Sequence, residues 1–572
     1  MTPIFAVAFL ALPLNPSSAF VRGVGERYLQ IVAAQDPQLS LKLGLPVEHL
    51  PELSLAREES DAAAASVLLR NLSQVREADL NHDETLSLDV LRKRLKILEE
   101  SPRFHWLRFP VTPYASPIGP TTAFLQSFPL KEAKDRERYL RLLHSYPAFI
   151  ASIQGTLEGG LGRGIVLPEE ELAAVRLFVD SYVGPPGKSP YDPKAERFAS
   201  PEEAAAFHSS LAPILENEVN PALKRLSAVL AGEYASRAPK GVGLSQYPGG
   251  NDFYQWLVRV HTTLDVTPQE VHERGLAEVA RVETEMAKVR GQLGFQGSAA
   301  AFRDSLKSNP KLFPKTPEQI EAVFMAHVRR IEPRIDQFFS RRPLAPYGVK
   351  RLAAELEAGE TFGHYQVPLS ADATGYYFFN GSHLEDRSLL SAAALIYHEL
   401  VPGHHFQLNL AAENHQLPLF RRELTDTAYT EGWGEYASML AGEMGMYEDP
   451  YDRYGRLAME MFLSTRLVVD TGMNALGWSR AKALEYMRDH VLETETQIGT
   501  ESLRYSCDIP GQALAYKMGA RRIYELREQA RSTLGTRFDI KRFHDAVLST
   551  GSLPMSTLER HVQWFVEAER KP

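Results

Sequence analysis

Hydrophobic positions recur at helical spacing over most of this chain. The segments 62–99, 131–159, 201–232, 268–293 and 317–340 are rich in Leu, Ala, Glu and Arg and repeat their apolar residues every three to four positions, which predicts long amphipathic helices. Strand-like runs are few. FGHYQVPLS (362–370) and TGYYFFNGS (374–382), aromatic and β-branched and parted by a short polar turn, predict a small β-hairpin. Proline and glycine collect at VGPPGKSPYDPK (183–194) and APKGVGLSQYPGGND (238–252). The second stretch marks the expected boundary between an N-terminal helical lobe, 20–240, and a C-terminal helical lobe, 241–572. No segment repeats at a fixed period, which disfavours a solenoid. The expected fold is mostly α, large and two-lobed.

The apolar run IFAVAFLALPL (4–14) is too short to span a bilayer, and Ser17 and Ala19 follow it in A-x-A-like positions. It predicts a signal peptide over 1–19 and a periplasmic or secreted protein. Its n-region, Met1-Thr2-Pro3, lacks Lys and Arg, and the alternative is a buried N-terminal helix in a cytoplasmic protein. No later segment has the uninterrupted apolar length of a membrane span, and no cysteine follows the run to be lipidated.

Composition narrows the chemistry. A net charge of −9 over 572 residues shows none of the basic surplus of a nucleic-acid protein, which leaves small molecules or peptides as partners. The lone cysteine, Cys507, excludes an intrachain disulfide, a zinc ribbon and a Cys-ligated cluster. Any metal must therefore be held by histidines and carboxylates.

Such residues meet in IYHELVPGHHFQ (396–407). In an H-E-x-x-H helix the second histidine comes one turn after the first, with the glutamate beside the metal-bound water. Here position 402 is proline. It cannot donate the hydrogen bond that would close on the His398 carbonyl, and it biases Val401 out of the α region, so the helix must open at that turn. If residues 400–403 loop out and absorb about two positions, His404 returns to where i+4 would lie; absorbing about three would bring His405 there instead. The alternative is a proline-kinked helix with solvent-facing histidines. TDTAYTEGWGEYASMLAGE (425–443) predicts a second helix that supplies a carboxylate. Glu431 is the expected third ligand, because Gly432 and Gly434 allow close helix approach, and Glu435, one turn on, is a further candidate for metal, substrate or a bond to a histidine.

These motifs, together with GGNDFYQWLVRVHTTLDVTPQEVHERGLAEVARVE (249–283), RLVVDTGMNALGW (466–478) and ESLRYSCDIPGQALAYKMG (501–519), closely resemble the bacterial family called domain of unknown function 885, regarded as candidate zinc metallopeptidases. The resemblance runs over nearly the whole mature chain. It implies a mostly helical peptidase with a deep cleft, similar in architecture to thimet oligopeptidase and related gluzincins, with zinc at His398, His404 or His405, and Glu431. One residue departs from the pattern: Asn474 stands where D-T-G-x is usually followed by His, and an Asn cannot shuttle a proton near neutral pH.

The function expected is hydrolysis of peptide bonds, in short peptides, by zinc-activated water. Glu399 is the expected general base, and Tyr505 and Tyr516 are the candidate oxyanion donors. Arg504 or Lys517 would hold a substrate carboxylate, and Tyr376 in the second hairpin strand is a further substrate contact. For the tyrosines and cations a buried polar network is the competing role. Two rival functions follow. A metal- or peptide-binding protein of the same fold without turnover is opposed by an intact Glu399, and a carboxylate-bridged di-iron protein needs Glu-x-x-His pairs on two helices, which these motifs lack.

Overall fold

Caps and prolines set most element boundaries. The structure, a computed structural model, describes residues 16–353, 357, 363–368 and 373–571, and it is mostly α-helical with one small sheet. The apolar run at 4–14 lies outside the described residues; the helix Pro16–Ala33 that follows it sends Val21 and Val24 into the core. The expected helix over 62–99 is two helices, Leu55–Leu72 and His82–Glu100. The second starts where Asn81 and Glu84 cap each other's backbone N–H groups, a reciprocal bond that fixes a helix start. Pro333 likewise interrupts the segment 317–340, which is Pro317–Ile331, a tight turn at Glu332–Arg334 and the short helix Ile335–Phe338. The segment 201–232 is continuous in direction but widens into a π turn at Leu215–Val219.

The hairpin forms as expected and gains a third strand. β1 (Tyr347–Arg351), β2 (Gly363–Gln366) and β3 (Gly375–Phe379) make a sheet of order β1-β3-β2. β2 runs antiparallel to β3, with Tyr365 opposite Tyr377, and β1 runs parallel to β3, with Val349 opposite Tyr377. Val349, Tyr377 and Phe379 face the core, and the other face carries His364, Gln366, Tyr376 and Phe378.

One hydrophobic core joins residues from both ends of the described chain: Val21, Leu68 and Leu91 pack with Ile396, Trp433, Ile523 and Leu558. A second is built mainly from residues between Phe104 and Val258 and takes in Leu467, Leu514 and Met518. Two further helix pairs supply Glu431, Arg466 and Tyr516. Pro450–Ala475 lies along Pro268–Gln292, and Thr427–Glu443 crosses Leu514–Leu534 where Gly432 and Gly519 touch: a Cβ on Gly432 would lie 2.6 Å from the Gly519 backbone. Among the described residues no helix is long and apolar enough to cross a membrane.

Candidate metal centre and cleft

The buried helix Ala392–Glu399 ends on His398 and Glu399, and a new helix, His404–Glu413, begins on His404. Between them Leu400-Val401-Pro402-Gly403 forms a tight loop. Leu400 (φ −107°, ψ −89°) and Gly403 (φ −77°, ψ −128°) depart from helical geometry on either side of the proline. Any side chain at 403 would put its Cβ 1.8 Å from the His398 carbonyl oxygen, so glycine is what lets the chain fold back this closely. Trp433, fully buried, donates its indole N–H to the Pro402 carbonyl at 3.0 Å and ties the loop to the helix Thr427–Glu443.

That helix brings Glu431 between the two rings. Its Oε2 lies 3.5 Å from His398 Nε2 and 3.4 Å from His404 Nε2, and the three ligand atoms all lie within 4.8 Å of one another. Two ligands about 2.0–2.1 Å from a tetrahedral ion stand about 3.4 Å apart, whereas a hydrogen bond closes to about 2.7–3.2 Å. The separations therefore fit a shared cation. Gly434 makes room for the His398 ring: a Cβ there would stand 2.8 Å from its Nε2 and 2.9 Å from its Cε1. The Nδ1 atoms of both histidines find no hydrogen-bond partner among the described residues.

The electrostatics agree with a cation-binding pocket. Burial would raise the Glu431 carboxyl, but its contacts with the two imidazoles override this and hold it well below the usual carboxylate range. Burial would lower His404, but Glu431 and then Glu399 raise it above its ordinary value. Glu399 is raised, by burial first and by Glu431 against the opposing charge of the two histidines, and the charge of His364 on β2 also reaches it.

The remaining candidates sort by what they touch. His405, fully buried, turns away from the triad: its Nε2 donates to the Ala345 carbonyl at 3.0 Å and its Nδ1 pairs with the Tyr365 hydroxyl at 2.9 Å, while burial pushes its pKa down to about 4. Glu435, also fully buried, meets the Arg456 guanidinium at 2.5 Å and bonds to neither histidine. Tyr516 stacks its ring on His398, 6.0 Å between centroids and 19° between planes, and burial followed by the Glu431 charge raises its hydroxyl. Tyr505 is fully buried, with its hydroxyl between Glu501 and the Arg466 Nε. Arg504 bonds Glu501 at 3.1 Å and Gln512 at 2.7 Å, under the ring of the exposed Tyr114. Lys517 is buried between Glu460 and Glu278. Tyr376 stays half-buried on the outer face of the sheet, with the Lys350 ammonium 5.6 Å over its ring.

Asn474 has a structural task. Its amide donates to the carbonyls of Asp470 and Tyr505 and its oxygen accepts from the Leu244 N–H at 3.0 Å, so it clasps three segments together.

Two residues near the site escaped sequence reasoning. Arg466 packs its guanidinium 4.9 Å from the Tyr516 ring centroid and 4.4 Å from that of Phe462, and pairs with Glu501 at 2.9 Å. Its signal was an arginine opening an otherwise apolar run. His364 was legible only as a polar position in a short strand.

Comparison with known proteins places this architecture in a wider set. The profile of the family described as bacterial protein of unknown function (DUF885) matches residues 37–562. The crystal structure of a candidate lipoprotein from Colwellia psychrerythraea is similar with a TM-score of 0.91 at 25% identity, over 96% of this chain and 100% of that one. A candidate lipoprotein of unknown function from Shewanella oneidensis shares the fold with a TM-score of 0.73 at 17% identity, over 94% of this chain and 99% of that one. Comparison with curated proteins finds no match.

Proposed function

Since the chain belongs to the DUF885 family, whose description assigns no activity, the reading rests on the site, and we propose that the protein is a zinc-dependent peptidase acting on short peptides. The observation that carries this is the convergence of His398, His404 and Glu431 at ion-sharing distances, with Glu399 next to the first of them in the chain.

The donor set, two imidazoles and one carboxylate, is that of a catalytic zinc site with an open position. When bound, zinc supplies a Lewis acid that polarises a carbonyl and makes a water acidic enough to lose a proton near neutral pH. Glu399 would accept that proton and return it to the leaving amine. Tyr516, whose ring is held against His398, is the hydroxyl available to donate to the developing oxyanion, and its high pKa keeps it protonated for that purpose. Arg466 packs on the Tyr516 ring and donates to the Tyr505 hydroxyl. The edge strand β2, whose His364 reaches Glu399 electrostatically, offers backbone for an extended peptide to pair with.

We also infer a location outside the cytoplasm, from the apolar run at 4–14 and from the relative of similar fold described as a candidate lipoprotein. N-terminal sequencing of exported material tests this: it should begin near Phe20, and intact Met1 in the cytosolic fraction would refute it.

The test of activity is a digest of a peptide mixture by protein of known zinc content. Hydrolysis that a strong chelator abolishes and zinc restores supports the reading. Hydrolysis indifferent to chelation, or none by fully loaded protein, overturns it.

A further inference from the structure

Along the helix Ala392–Glu399 and the residue before it, three positions escape full burial: Ser391, Leu395 and Glu399. They stand four apart. Successive members of such a series are about 40° round the helix and about 6 Å along it, so all three look out from one stripe of the surface. Ser391 and Leu395 line a cavity of about 300 Å³, and Glu399 comes one turn later on the same stripe. The cavity wall at Leu395 is therefore one helical turn from the proposed general base.

The lining decides what fits. Phe313, Ile320, Phe324, Leu390 and Leu492 contribute apolar wall. Lys307 and Arg387 oppose a basic side chain, and Glu385, Asp386 and Glu493 oppose an acidic one. At about 300 Å³ the space is at the small end of ligand pockets and suits one bulky side chain. Leu395 is about 6 Å along the helix axis from Glu399, and an extended peptide advances about 3.3–3.6 Å per residue, so the offset corresponds to a residue one or two places from the bond being cut. We propose that this cavity is a specificity subsite that receives a large apolar or aromatic side chain of the peptide, one or two residues from the scissile bond. The proposal rests on the peptidase reading above.

The experiment compares zinc-loaded wild type with Leu492→Trp, which fills the cavity, and Phe313→Ala, which enlarges it. The substrates are peptides that carry Phe, Leu, Ala, Asp or Lys at each position flanking the cut. Wild type should prefer Phe or Leu over Ala at one such position by about 10- to 100-fold in kcat/KM. Leu492→Trp should erase that preference, with a larger loss on the Phe and Leu peptides than on the Ala peptide, and Phe313→Ala should shift it toward the bulkier residue. Indifference to the flanking residue, a preference for Lys or Asp, or an equal loss by Leu492→Trp on all peptides would overturn the subsite. If Leu492→Trp fails to fold, the wild-type profile and Phe313→Ala still decide. Equilibrium binding of fluorescently labelled Phe and Ala peptides separates the two levels of the argument. Discrimination between the peptides that Leu492→Trp removes, without hydrolysis, upholds the subsite and sinks the peptidase reading; hydrolysis without discrimination does the reverse.

Discussion

The Trp433 indole donates to the Pro402 carbonyl, and this one bond joins the loop between the two histidines to the helix that carries Glu431. Trp433→Phe removes the donor and leaves a buried carbonyl unpaired, which costs about 1–3 kcal/mol. The loop would then lose its anchor to the third ligand. The expected result is a lower denaturation midpoint together with zinc affinity weakened by about 10–100-fold, as for lost groups that orient ligands. Calorimetric titration with zinc checks it; unchanged affinity would show that the loop holds its shape without the tie.

Gly434→Ala places a methyl group against the face of the His398 ring, 2.8 Å from Nε2 and 2.9 Å from Cε1, so the ring must shift. Weaker zinc binding together with a lower melting temperature is expected, read by metal analysis and thermal denaturation of the same sample.

The neighbouring histidines should separate cleanly. His404→Ala should empty the site, because it removes a ligand atom 3.4 Å from Glu431. His405→Ala should keep zinc and lose stability, because its ring bonds Ala345 and Tyr365 and so ties the His404–Glu413 helix to β2. Zinc content of the two variants, measured side by side, checks the assignment; an empty His405 variant beside a full His404 variant would reverse it.

Tyr516→Phe should lower kcat by about 10²–10³ with little loss of stability, as when one oxyanion donor is removed. Tyr505→Phe should do the opposite: its hydroxyl bonds Glu501 and Arg466 in the interior, so stability falls while turnover at low temperature persists. Steady-state kinetics with melting curves for both variants distinguish the two roles.

Glu171 gives the pH dependence of stability a sign. Burial first, and the charge of Asp508, push its carboxyl from 4.5 up to about 7, against the opposing hydrogen bond from Ser506. Between those values the folded protein binds more protons than the unfolded chain, so this contribution is full below about pH 4.5 and is lost as pH rises through about 7. Glu171→Gln keeps an acceptor for Ser506 and cannot ionise. Relative to wild type, the variant should gain about 1–3 kcal/mol between pH 5 and pH 8 in urea unfolding, and a constant difference would refute the shift.

Much of the site was legible because its physics is local. The proline at 402 had to break the helix after His398, and the break returns His404 toward Glu431. The aromatic runs around 365 and 377 had to pair as a hairpin. What could not be read depends on partners distant in sequence. β1 contains a single buried residue, Val349, and pairs directly with β3, from which β2 separates it in sequence, so its pattern is too weak to announce a strand. Lys517 looked available for a substrate carboxylate until Glu460 and Glu278, on two other helices, were found around it. Tyr505 and Tyr516 are alike on paper, and only their distant partners separate them: Arg466 and Glu501 hold the Tyr505 hydroxyl in the interior, while the Tyr516 ring lies on His398.

The most direct test is to add zinc stepwise to metal-free protein while following hydrolysis of a peptide mixture, with Glu399→Gln run in parallel. The account predicts activity that climbs to a plateau at one zinc per chain in the wild type, and a variant that binds the same single zinc yet loses most turnover. Hydrolysis that does not depend on zinc, or a Glu399→Gln protein as active as the wild type at full occupancy, would contradict it.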